Sequence, residues 1–189
     1  MTRIIQTIGV AVVTLAIAAP MAAAQYSHAF ALQRFTEQVA AYMAVRRDVE
    51  QRVPVPTVTA DATNIVAMQN ALATALRAAR PRAQAGDFFS PEVSAEVRQR
   101  IHRVLELRRV SESGLVADFQ RESPQSFCTL AVNGNFDWRF GAMMPTVVLE
   151  ALPDLPWPLQ YRFVCRDLVM LDVDAGLILD ILPDALDAS

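Results

Sequence analysis

Glycine is scarce in this chain, six residues among 189 with no two grouped, so it contains no glycine-rich phosphate loop. Neither a Gly-x-Ser-x-Gly elbow nor a His-Glu-x-x-His helix is present, and no cofactor motif takes their place. The only histidines are His28 and His102. A hydrolase built on either would need a nucleophile beside it, and no motif identifies one. Cysteine occurs twice, at Cys128 and Cys165, without the Cys-x-x-Cys spacing of a redox pair, and two sulfurs alone make a poor metal site. Lysine is absent, so all 17 basic residues are arginine. No cofactor and no metal are expected.

What is present begins at the N-terminus. Arg3 precedes an apolar run from Ile8 to Ala19, and Ala22-Ala23-Ala24 stand before Gln25. A positive charge, an apolar stretch short for a bilayer and small residues at the cleavage positions read as a secretory signal, removed after Ala24. The other reading, an uncleaved anchor, is opposed by Pro20 and by a polar turn at Gln25. No cysteine follows the small residues, so lipid modification is not indicated. The expectation is an exported protein, periplasmic or extracellular, with signal 1–24 and one mature domain, 25–189. That domain divides into a helical part, 25–110, and a hairpin-containing part, 111–189. In an oxidising compartment Cys128 and Cys165 are expected to form a structural disulfide, stabilising by about 3 to 4 kcal/mol in the chain-entropy picture.

Charge is unevenly spread. Tyr26 to Val110 holds twelve arginines against eight acidic residues, and Ser111 to Ser189 holds four against twelve. Such polarity suits two complementary halves packed together, or docking. The arginines form no dense run that would mark a lipid or polysaccharide surface, and nucleic acid is not expected for an exported chain.

Apolar residues at Phe35, Val39, Tyr42, Val45 and Val49 recur every three or four positions, with Arg34, Arg46, Arg47 and Asp48 placed off that face, predicting an amphipathic helix ended by Val53-Pro54-Val55-Pro56. A second helix is predicted from Asp61 to Arg80 on Ile65, Met68, Leu72 and Leu76. A third starts at Ser90-Pro91-Glu92, where a cap, a helix-opening proline and an acid at the positive dipole end coincide. It buries Val93, Val97, Ile101, Val104 and Leu105. Leu115 to Phe127 is ambiguous. Cys128 to Val132 reads as a short strand before the turn Asn133-Gly134-Asn135. Met144 to Leu152 reads as a short helix, followed by an extended link around Trp157 between prolines. A hairpin is predicted from Gln160 to Val164 and Leu168 to Leu171, turning at Cys165-Arg166-Asp167. Val173 to Leu186 is expected to form a short terminal helix over it. The class is α+β, mainly α: a three-helix N-terminal layer packed on a small C-terminal β-hairpin plus terminal helix.

The string Tyr161-Arg162-Phe163-Val164-Cys165-Arg166-Asp167-Leu168, with Asp172-Val173 and Leu177-Ile178-Leu179-Asp180 after it, resembles the C-terminal segment of a group of uncharacterised bacterial secreted proteins. Those share a Tyr-Arg-Phe-Val-Gly-Arg-Asp-Leu core, and Cys165 stands where the core has glycine. The resemblance implies export and a shared fold, and no activity.

The polar cluster of interest is Arg162, Arg166, Asp167 and Asp172, which a hairpin would gather. Arg and Asp beside a turn can bind a carboxylate or sugar, or pin the turn by bidentate pairing. Asp172-Val173-Asp174-Ala175-Gly176 looks like a fragment of a calcium loop, but glycine falls one place early and no closing glutamate follows. Asp118 and Glu122 have the spacing of a solvated helix face more than of a glycosidase pair. Trp138 and Phe140, with Phe136 nearby and Trp157 between prolines, could offer a stacking platform to a sugar or peptide. The possible ligand or partner surface is thus Trp138, Phe140, Trp157, Arg162, Arg166 and Asp167. The functional expectation is a non-enzymatic envelope protein that binds or braces another envelope protein. The alternative is a periplasmic hydrolase or isomerase using carboxylates of the acidic half, which would require a concave site with convergent ionisable groups.

Overall fold

A computed structural model describes residues 18–53, 61–122, 128–139 and 143–186, with side chains from residue 29 onward. Among these the chain is α+β and mainly helical: α1 (Ala18–Glu50), α2 (Ala62–Ala79), α3 (Pro91–Arg108), α4 (Glu112–Glu122), α5 (Thr146–Leu149) and strands β1 (Leu159–Val164), β2 (Asp167–Asp172) and β3 (Leu177–Leu182). Residues 1–17, most of the predicted signal, lie outside the described residues. α1 runs on through Ala24 and Gln25, so no turn occurs there. Pro20 is its third residue, in the first turn, where a missing N–H breaks no intrahelical bond. No helix of the described residues is long and apolar enough to cross a membrane.

α1 buries Ala31, Phe35, Val39, Tyr42 and Val49 against α2 and α3. Asp61 caps α2 by accepting the N–H groups of Thr63 and Asn64, and Ser90 caps α3 by accepting that of Val93. α2 contributes Leu72 and Leu76 to the core, and α3 contributes Val93, Val97, Ile101 and Leu105. Phe89 of the α2–α3 loop stacks on Phe35, with ring centres 6.1 Å apart. Of the ambiguous segment, residues 115–122 belong to α4, whose Phe119 stacks on Phe163 of β1 at 4.6 Å, and residues 123–127 lie outside the described residues.

The strands form one antiparallel sheet in the order β1-β2-β3. β1 and β2 make the expected hairpin, pairing Val164 with Asp167 and Leu159 with Asp172. The terminal element is a strand and not a helix. Leu177, Ile178, Leu179, Ile181 and Leu182 form a nearly continuous apolar run, and such a run suits a strand covered on both faces. A bulge between Met170 and Leu171 lets Met170 face Asp180 while Leu171 faces Ile178. The register sorts the side chains. Leu159, Tyr161, Phe163, Leu168, Met170, Asp172, Leu177, Asp180 and Leu182 point to the helices, and Val169, Leu171 and Ile178 point the other way.

That outer face is covered by residues 128–138, a strap across the sheet. Cys128 to Val132 is not a strand. Instead the strap meets β3 beyond the turn, where the Asn133 N–H donates to Ile178, the Ile178 N–H to Gly134 and the Phe136 N–H to Gly176. Gly134 is required by the turn that precedes this contact, because a Cβ there would lie 2.7 Å from the Ala131 carbonyl oxygen. The Cys128–Cys165 disulfide, with Cα atoms 5.9 Å apart, ties the leading end of the strap to the β1–β2 turn.

Candidate functional site

Two fully buried carboxylates organise the inner face. Asp172 closes β2 and accepts from the Tyr42 hydroxyl at 2.7 Å, from Arg46 Nε at 2.7 Å and from the Ala175 N–H at 3.1 Å. Arg46 also reaches Asp174 through Nη2 at 2.7 Å and Glu50 through Nη1. Burial and the adjacent Asp172 hold the Tyr42 phenol far above its ordinary range. Burial would lower the Arg46 guanidinium, but Asp172, Glu50 and Asp174 outweigh it and the net displacement is upward. Asp180 serves the α2–α3 loop in the same way. Its Oδ1 accepts the Gly86 N–H at 2.9 Å, and its Oδ2 accepts those of Phe88 and Phe89 at 2.7 and 2.8 Å. Both carboxylates are buried and spend their oxygens on donors of the fold, so these sites brace the structure.

The resemblance to a calcium loop ends here. Asp172 and Asp174 face the Arg46 guanidinium, and Gly176 supplies a left-handed turn residue, φ 58°, against Gln69. No group of three or more metal-ligating side chains occurs among the described residues.

The hairpin does not gather the four polar residues expected to cluster. Asp172 sits at its open end, on the inner face, whereas Arg166 and Asp167 sit at its closed end. There the Asp167 carboxylate accepts the Asp184 N–H at 3.0 Å, Arg166 Nε pairs with Asp184 at 3.2 Å, and the Arg166 carbonyl accepts the Ala185 N–H. These contacts fasten the turn after β3. Together with Gln120, Cys128 and Cys165 they line an open cavity of about 360 Å³. Burial, with the Asp184 charge adding to it, raises the Asp167 carboxyl above its ordinary value.

Arg162 lies elsewhere, in a groove of about 310 Å³ between α5 and β1. Pro145 opens α5 at its N-cap, and Pro153 and Pro156 carry the chain back to β1, so the groove has a stiff margin. Met144, Leu149, Leu155 and Leu159 make its walls apolar, and Leu149 is 46% exposed. Tyr161 is anchored in it by donating its hydroxyl to the Pro153 carbonyl at 3.1 Å. Asp154, Gln160 and Arg162 form no side-chain hydrogen bond or ion pair with the described residues, leaving three uncommitted polar groups beside an apolar floor.

Trp138 is 45% exposed and rests edge-on against buried Phe136, 4.9 Å between ring centres. It is flanked by Asp137 and Arg139, and hydrogen bonds from Arg139 hold the Asp137 carboxyl down at about 2. Trp157 is 69% exposed, before a cis peptide bond to Pro158, and shares no ring contact with Trp138 among the described residues. Phe140 lies outside the described residues.

Sequence reasoning passed over Arg46 and Asp180. The helical pattern puts Arg46 off the apolar face, yet it occupies the buried stripe between Tyr42 and Val49. Its spacing from those two residues was the available signal. Asp180 had no local signal, because its partners are loop amides about ninety residues earlier. No family model, curated protein or solved structure matches the chain.

Proposed function

We propose that this chain is an exported, non-enzymatic envelope protein that holds an apolar, carboxylate-bearing segment of another envelope protein in the groove between α5 and β1. The observation that carries the reading is the Arg162 guanidinium, without an ion-pair partner among the described residues in the lining of a largely apolar groove, while the buried Arg46, Asp172 and Asp180 are spent on one another or on backbone amides. Apolar walls supply affinity through area removed from water, and an unsatisfied guanidinium selects for a carboxylate. The disulfide agrees with an exported body. Apolar hexapeptides with a free terminal carboxylate, compared with their amidated forms by NMR shift perturbation, test it. The carboxylate forms should bind more tightly by roughly tenfold. Arg162→Gln should erase that preference, and Leu149→Asp should remove binding. Absence of binding by either form, or binding indifferent to both substitutions, overturns the reading.

The hydrolase or isomerase reading draws support from the raised Asp167 carboxyl in the cavity beside Arg166 and Asp184. Its test is turnover of envelope glycans or peptides abolished by Asp167→Asn in a variant of unchanged stability.

A further inference from the structure

Resting on the binding reading above, we infer that the groove between α5 and β1 selects a segment carrying both charges, with a basic side chain at Asp154 and the carboxylate at Arg162. β1 is an edge strand of the sheet, and its successive residues Leu159, Gln160, Tyr161 and Arg162 all line the groove. Side chains alternate between the two faces of a strand, so a groove that meets four in a row follows the margin of the sheet. Tyr161 points to the helices and Arg162, its neighbour, to the other face.

The two charges of the groove therefore enter it from different sides. Asp154 stands on the Tyr161 side: burial raises the Tyr161 phenol, and the nearby Asp154 charge adds to that displacement. Asp154 and Arg162 do not pair with each other, and neither has another ion-pair partner among the described residues. Each is carried on fastened backbone. The Tyr161 hydroxyl holds the Pro153 carbonyl at 3.1 Å, one residue before Asp154, and the Pro156 carbonyl beyond it accepts the Leu159 N–H at 2.9 Å. Arg162 lies within β1, opposite Val169 of β2.

Two opposite charges at fixed places are complementary to a ligand that carries the same two in reverse. Such an arrangement acts more on selection than on affinity, because a segment laid in backwards, or with an acid beside Asp154, sets like charges together. It also fixes which end of the segment lies at which end of the groove. Asp154 is exposed, so its share of the binding is small and weakens as salt is added.

NMR titration of the folded protein with N-acetylated hexapeptides ending in a free carboxylate tests the inference. The peptides are apolar except for one Lys, moved through the first five positions, with norleucine and Glu as its replacements. At one position Lys should bind roughly threefold more tightly than norleucine, and Glu there more weakly than either. Asp154→Asn should abolish the Lys preference and keep the preference for carboxylate over amide, and Asp154→Lys should turn the choice towards Glu. Arg162→Gln should do the converse of Asp154→Asn, losing the carboxylate preference and keeping that for Lys. Thermal unfolding of each variant checks that the fold is intact. A Lys preference equal at every position, or one that survives Asp154→Asn, would reduce the effect to the general field of the acidic half and overturn the inference. Indifference to Lys alongside a retained carboxylate preference would overturn the inference alone and leave the binding reading in place. Absence of binding by every peptide would overturn both.

Discussion

On its inner face the C-terminal sheet offers the helices two carboxylates, Asp172 and Asp180, each surrounded by donors from segments about 90 to 130 residues away. Its outer face is lined by Val169, Leu171 and Ile178 and closed by a strap of extended chain with a disulfide at one end. Hydrogen bonds to a buried carboxylate are directional, so the inner face admits one docking of α1 and one path for the 86–89 loop. Apolar burial is not directional, and the outer face requires only cover. The same three strands thus have a face that specifies and a face that is merely kept dry.

The contrast can be broken most sharply at Asp172. Asp172→Ala leaves Arg46 and the Tyr42 hydroxyl buried without their acceptor and should cost about 3 to 5 kcal/mol in urea unfolding. A triple variant, Tyr42→Phe with Arg46→Met and Asp172→Leu, should recover most of that loss. A triple variant as weak as the single one would show that the carboxylate does more than satisfy its own donors. On the outer face, Cys128→Ser with Cys165→Ser should cost about 2 to 4 kcal/mol. A loss greater than that of Asp172→Ala would invert the comparison.

Gly134→Ala, which presses a Cβ against the Ala131 carbonyl, should cost about 1 to 3 kcal/mol. It should also accelerate amide exchange at Asn133, Phe136 and Ile178, while the Phe88 and Phe89 amides on Asp180 keep their protection. The smallest effect concerns Asp167. Burial raises its carboxyl in the folded state, so the folded protein holds that proton more tightly than the unfolded chain, and the ionised form weighs against folding at neutral pH. The stability of the wild type relative to Asp167→Asn should therefore rise as pH falls through the raised pKa towards the ordinary carboxylate range. Thermal midpoints of the two proteins across that window check the sign.

The helices were legible because their signals are local. Ser90-Pro91-Glu92 gives a cap, a tolerated proline and a dipole partner within three residues, and α3 starts there. The β1–β2 hairpin is legible through the partial alternation of β1 and the turn at Cys165-Arg166-Asp167, although Leu168 to Leu171 of β2 is itself a continuous apolar run. β3 was misread because Leu177 to Leu182 has no alternation to read, a consequence of cover on both faces that only the tertiary fold supplies. Cys128 to Val132 was misread for the opposite reason. Its residues favour a strand, but the disulfide and the Gly134 turn bring the chain to the edge of β3 only from Asn133 onward. Among the candidate site residues, Arg166 and Asp167 meet beside Asp184, but Arg162 and Asp172 part company because neither lies at the closed end of the hairpin. Cys165 holds a φ of 59°, a conformation that glycine adopts without strain.

The position of Asp180, more than ninety residues after the loop amides it accepts, bears on the order of events during synthesis. The loop at 86–89 emerges long before the carboxylate that fastens it, and α1 likewise waits for Asp172. Until β2 and β3 are made, α1 and that loop lack the carboxylates that fix them, and the helical layer, held by its apolar contacts alone, is slacker than in the finished fold. Slackness is what a translocation channel demands of its cargo, so late fastening would keep this chain threadable on the proposed route out of the cell.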